Sequence, residues 1–221
     1  PFDFGYEAYL TNGFRLLDDR GVPAAPFIDR EQILREGRPS LGGDSNKDLA
    51  TTGRVSVQLP GTLDMGGSWH VGTYDELSEN SLSILAADAA LVLGDLTLEG
   101  EYAWAGFETD TFARTAGIPD VFWGVYGQAS YRFLPDAWRR ALPAVFGDEH
   151  ASFTAVARYD WIDLDGDQAG AFEPGLAFRP VADTVIKFSY RFSSETLGVR
   201  KVPGREKFDD EGPVFSVASY F

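Results

Sequence analysis

Bulky apolar residues alternate with small or polar ones along this chain in blocks of roughly ten, and few folds can use that pattern. In TVIKFSYRF, residues 184–192, Ile186, Phe188, Tyr190 and Phe192 alternate with Val185, Lys187, Ser189 and Arg191. Period two is the mark of a strand with two unlike faces. GPVFSVASYF sets Phe215, Val217 and Phe221 against Ser216, Ala218 and Tyr220, and AFEPGLAFR sets Phe172, Leu176 and Phe178 against Glu173, Ala177 and Arg179. ASFTAVARYDW, VFWGVYGQASYRF, ILAADAALVL, LTLEGEYAWAG, LDMGGSWHVGTY, GRVSVQL and FDFGYEAYL repeat the pattern. Together they predict about ten strands, several broken by turn signals such as Pro60-Gly61 and Gly94-Asp95.

Composition limits what those strands can form. Acidic residues outnumber basic ones, 34 to 19, for a net charge of −15, which argues against a nucleic-acid partner. Without cysteine there is no disulfide framework, thiolate nucleophile or Cys-ligated metal. No apolar run reaches the roughly 18 residues of a spanning helix, and the longest, SLSILAADAALVLGDLTLEG, is interrupted by Asp88, Gly94 and Asp95. No signal-peptide pattern opens the chain, so an export signal would already be gone. A slightly negative mean hydropathy does not argue for solubility, because in a membrane barrel lipid-facing and lumen-facing residues cancel.

Strands of roughly ten residues suit a tilted membrane crossing, so the expected fold is an all-β transmembrane antiparallel β-barrel, one domain over residues 1–221. With the last strand ending at the periplasmic side, the connections alternate between longer external loops and shorter periplasmic turns. The external set is 13–50, 75–81, 107–120, 163–168 and 193–211, and the periplasmic set is 60–62, 94–95, 134–150 and 180–183. The long periplasmic segment LPDAWRRALPAVFGDEH predicts a helical turn over 135–147 that plugs or rims the mouth, or else binds a partner. Trp69, Tyr102, Trp104, Trp123, Tyr131, Tyr159 and Trp161 are expected in two interfacial aromatic bands.

VFWGVYGQASYRFLPDAWRRALP, FTAVARYDWIDLD, PGLAFRPVADTVIKFSYRF and the terminal Phe221 resemble the C-terminal half of bacterial outer-membrane porins, nearest to the phosphate-selective and related porin-like group. The resemblance covers most of residues 121–221. It implies a bacterial outer-membrane location, a barrel of about sixteen to eighteen strands of which this chain is the C-terminal part, and a homotrimer. It also implies passive diffusion of small polar or anionic solutes, contact with lipopolysaccharide, and Phe221 as the signal read by the assembly machinery. A complete ten-stranded barrel is the alternative.

On the polar face the charges separate by sign along the chain. Arg132, Arg158, Arg179, Lys187 and Arg191 form a basic wall, and Asp3, Glu7, Asp64, Asp88, Glu99 and Glu101 an acidic one, with Arg54, Asp160 and Glu173 out of place. One reading is a pore-lining field across an open lumen. The other is structural pairing in a narrow interior.

The competing functions are weaker. Asp163, Asp165 and Asp167 in DLDGD offer oxygen ligands for Ca²⁺ at an outer loop, but Asp-Gly also suits a hairpin turn and no downstream glutamate completes a calcium loop. No enzyme is expected, because the only histidines are His70, placed near Tyr74 and Asp75, and His150, beside a turn. A structural or adhesive barrel with a filled lumen would instead use the long loop 13–50 to bind a partner.

Overall fold

The computed structural model describes residues 2–17, 34, 49–75, 79–196 and 211–219. Within them the alternating blocks become ten strands: β1 (Asp3–Asn12), β2 (Leu49–Leu59), β3 (Leu63–Thr73), β4 (Ser81–Leu93), β5 (Leu96–Phe107), β6 (Val121–Phe133), β7 (Ser152–Leu164), β8 (Asp167–Val181), β9 (Thr184–Thr196) and β10 (Gly212–Ser219). Each pairs antiparallel with the next, giving one sheet in the order β1 to β10. The sheet is open among the described residues, with β1 and β10 at its edges.

The tight turns follow from their residues. Thr62 N–H donates to the Leu59 carbonyl at 2.9 Å around Pro60-Gly61, where Pro presets φ and Gly61 takes φ 73°. Gly94 turns β4 into β5 with φ 64° at the first central position, as a type II′ hairpin requires. Asp165 and Gly166 both have positive φ, 57° and 94°, so β7 and β8 meet in a two-residue turn of type I′ character.

These connections divide the sheet into a turn end, holding 60–62, 94–95, 134–151 and 182–183, and a loop end, holding the rest. At the loop end, 108–120 contains helix α1 (Thr111–Ala116), which the alternation pattern does not reveal. Asp110 caps it by accepting from Ala113 N–H, and Gly117 closes it in the left-handed conformation at φ 88°. At the turn end α2 (Asp136–Ala141) and α3 (Pro143–Phe146) occupy the expected helical segment. Among the described residues no helix is long and apolar enough to cross a membrane.

Register gives the sheet two faces. On one, Phe4, Val57, Met65, Ala89, Gly100, Gly127, Tyr159, Phe172 and Phe192 form a continuous row from β1 to β9. Following every row of that face, the only Asp, Glu, Lys or Arg among the described strand residues is Asp163, at the loop end of β7. Its large side chains are open to the surroundings: Tyr6 is 80% exposed, Phe188 53% and Phe215 67%. The buried core lies elsewhere. Leu16, Leu17, Tyr74, Leu82, Ala105, Phe107, Ala113, Ile118 and Phe122 cluster where loop-end segments fold over the opposite face.

Candidate functional site

The polar face carries the charged residues, and a cavity of 1260 Å³ lies along it over β5 to β9. One row runs through Asp3, Gln58, Asp64, Ala90, Glu99, Gln128, Arg158 and Glu173. A second contains Asp88, Glu101, Tyr126 and Asp160, and a third pairs Glu7 with Arg54. All six acidic candidates therefore share this face. Of the five basic candidates, Arg158, Arg179, Lys187 and Arg191 line the cavity with Glu101. Arg132 lies at the turn end, on the Asp95 carboxylate at 3.2 Å.

Pairing divides the candidates more sharply than sign. Arg158 grips Asp160 at 2.7 Å and stacks over Tyr126, 4.3 Å from the ring centroid. Arg191 approaches Glu173 at 3.8 Å, and Ser189 donates to the same carboxylate at 2.6 Å. Arg54 reaches across β3 to Asp88 through two hydrogen bonds of 2.6 and 2.8 Å. Gly66 makes that reach possible, because a Cβ there would sit inside contact distance of the Arg54 guanidinium. The three charges that broke the sign separation, Arg54, Asp160 and Glu173, are thus each one half of an ion pair.

What is left uncompensated is smaller than a basic ladder. Among the described residues Lys187 has no carboxylate partner, and Arg179 donates to the Ala182 carbonyl, which leaves its charge unneutralised. On the acidic side, Asp64 accepts from the Gln58 amide and Glu99 from the Gln128 amide, each at 2.7 Å, and Glu7 accepts from the Tyr9 hydroxyl. Those neutral donors fix the carboxylates without cancelling their charge.

The loop end differs from the expected polar lining. Leu82, Ile84, Ala105, Phe107, Phe122 and Leu164 have the parity of the polar face, yet they meet Phe14, Leu16, Leu17 and Ile118 in the apolar cluster. Tyr74 is fully buried there and donates to the Glu108 carbonyl, and burial, reinforced by Asp75 and Asp110, pushes its phenol well above the usual range. Its partners come from loops and from the loop ends of other strands, so no period in a single segment announced them.

The remaining candidates are placed as follows. Asp163 and Asp167 fall on opposite faces, because strand alternation separates them across the two-residue turn. Asp163 accepts instead from Gly166 N–H and the Gln168 amide, both at 2.8 Å, and among the described residues no three His, Cys, Asp or Glu side chains converge as a metal requires. His70 meets Thr52 at 2.8 Å and the edge of Phe14, while the Asp75 carboxylate accepts from the backbone N–H groups of Glu79 and Asn80 and from the Asn80 side-chain amide. His150 lies in an exposed turn, 3.4 Å from Glu149.

Most of the expected aromatic bands occupy defined rows. Trp69, Leu85, Trp104 and Trp123 share one row near the loop end, with Tyr102 and Trp161 in the next. Phe133, Phe153, Phe178 and Ile186 share a row at the turn end, with Tyr131 adjacent. Tyr159 is an exception, sitting in a central row because it pairs with Gly127. The turn-end helices also differ from expectation: Trp138 and Phe146 pack on Phe153 of the apolar face, away from the polar cavity, because their aromatic rings complete that row. Phe221 and residues 18–33 and 35–48 of the long loop lie outside the described residues.

The chain matches no known family model, no curated protein and no solved structure.

Proposed function

We propose that this sheet is part of the wall of a bacterial outer-membrane porin, with its apolar face on lipid and its polar face on a water-filled channel for passive diffusion of small polar solutes. The observation that carries the reading is the apolar face, which extends over ten strands with Asp163 as its only charge among the described residues and carries an aromatic row near each end, over β3 to β6 at the loop end and β6 to β8 at the turn end. Ten residues separate Trp123 from Phe133 along β6. At about 3.3 Å per residue and a tilt of about 40°, those rows stand about 25 Å apart, the height of a barrel's apolar band.

Unpaired backbone groups on β1 and β10 cannot face hydrocarbon, so in a bilayer the two edges must be paired, with each other or with further strands. A second reading, a small structural or adhesive barrel with a filled lumen, is favoured by the apolar cluster that covers part of the polar face at the loop end.

Planar-bilayer recording of the purified full-length protein separates the two. A porin gives stable, ohmic single-channel steps. A protein that inserts, resists external protease and never conducts has a filled lumen, and the porin reading then falls.

A further inference from the structure

Resting on the membrane reading above, we propose that α2 and α3 form an interfacial anchor lying in the headgroup layer at the turn end of the sheet, with Arg139 and Arg140 on the phosphates of anionic phospholipid. The segment is docked. Trp138 meets Phe153 edge-on at 5.4 Å, and Phe146 is buried against Phe153 at 5.8 Å and Phe178 at 5.6 Å. It therefore lies beside the last aromatic row of the apolar face.

The docked segment still leaves Trp138 46%, Leu142 55% and Val145 45% exposed. That apolar surface continues the uncharged face of the strands, so whatever solvates the face also meets the turn. Next to it stand two arginines with no carboxylate partner among the described residues. By contrast, Arg54, Arg114, Arg132, Arg158 and Arg191 each lie within 4 Å of a carboxylate. Tryptophan and exposed aliphatic residues beside unpaired cations match the chemistry of a bilayer interface: amphipathic rings at headgroup depth and guanidinium groups extending toward phosphate. A protein partner would have to cover apolar surface and two cations while leaving the adjoining lipid-facing rows free.

The test uses full-length protein in vesicles of phosphatidylcholine, with or without phosphatidylglycerol. Nitroxides are placed by Leu142→Cys on the turn, Ala157→Cys on the apolar face and Asp183→Cys in the short β8–β9 turn. The label at 142 should be reached by oxygen and shielded from an aqueous nickel complex, lying shallower than the label at 157. Phosphatidylglycerol should raise the ratio of shielded to mobile label by roughly fivefold per arginine, and Arg139→Gln with Arg140→Gln or high salt should remove that gain. Val145→Cys replaces Leu142→Cys if the latter does not fold.

If position 142 is as open to nickel as 183 while 157 reports lipid, the anchor is overturned and the membrane reading stands. Shielding of 142 from both oxygen and nickel overturns it in favour of a protein cover. A water-exposed label at 157 overturns both.

Discussion

Ala157→Arg tests the lipid-facing assignment with little loss of native packing. Ala157 is exposed on the apolar face, between Ala129 of β6 and Pro174 of β8. Ala129 lies six residues from Trp123 and four from Phe133, so this row runs close to the middle of the proposed apolar band. An arginine at the bilayer midplane of a barrel costs about 2–4 kcal/mol, falling to about 0–1 near the interface. The folded-to-unfolded ratio should therefore drop roughly 30- to 1,000-fold for Ala157→Arg. Its neighbour Val156 has the same depth and lines the cavity; Val156→Arg should cost much less, because the depth-dependent penalty applies to the lipid face alone. Ser83→Arg, one row beyond Trp69 and Trp104 on the apolar face, should cost about 0–1 kcal/mol. The assay is equilibrium denaturant titration of full-length protein in lipid vesicles, reading the midpoint at constant slope. Equal penalties at 156 and 157 would refute the facing assignment. A penalty at 83 as large as at 157 would refute the bilayer, since a protein cover has no depth gradient.

Three further outcomes follow from the polar face. Lys187→Gln should move the reversal potential toward cations under a salt gradient by a small factor, since a charge contact at 4 Å in water is worth about 1 kcal/mol, and the shift should fade near 1 M salt. Arg158→Gln, which removes a charge Asp160 already neutralises, should affect stability more than selectivity, and the reverse ranking would show that pairing does not set the field. Gly66→Ala should cost about 1 kcal/mol by displacing Arg54 from Asp88, and its effect should be non-additive with Asp88→Asn; strict additivity in the double-mutant cycle would remove Gly66 from that role.

The sequence discloses the strands and their faces because period two is a local property that every residue of a strand reports. Trp123 and Tyr126 fall on opposite faces by parity alone, and the structure keeps them there. Parity cannot report what folds onto a face. Phe107 and Phe122 share the parity of Glu101 and Tyr126, yet their ring centroids lie 5.5 Å apart in an apolar cluster completed by Phe14, Leu16, Leu17 and Ile118. The placement of Trp138 was hidden for the same reason: its partner Phe153 belongs to a strand that begins after the turn.

The charges show where local reading fails in a more useful way. Sorting them by sign along the chain isolates Arg54, Asp160 and Glu173 as misfits, and each proves to be an ion-pair partner. A misfit charge on an otherwise single-signed wall satisfies a neighbour, so it locates pairs before any coordinates are known. Removing the pairs from the wall then leaves the residues that can act on a solute: Lys187 and Arg179 on one side, and Asp64, Glu99 and Glu101, held by neutral donors or none, on the other. Of those groups Lys187, Arg179 and Glu101 line the cavity, and on the porin reading proposed above they would set the field across it. A solute passing along β5 to β9 would meet a cationic strip beside an anionic one, an arrangement that orients a dipole more than it excludes either sign of ion.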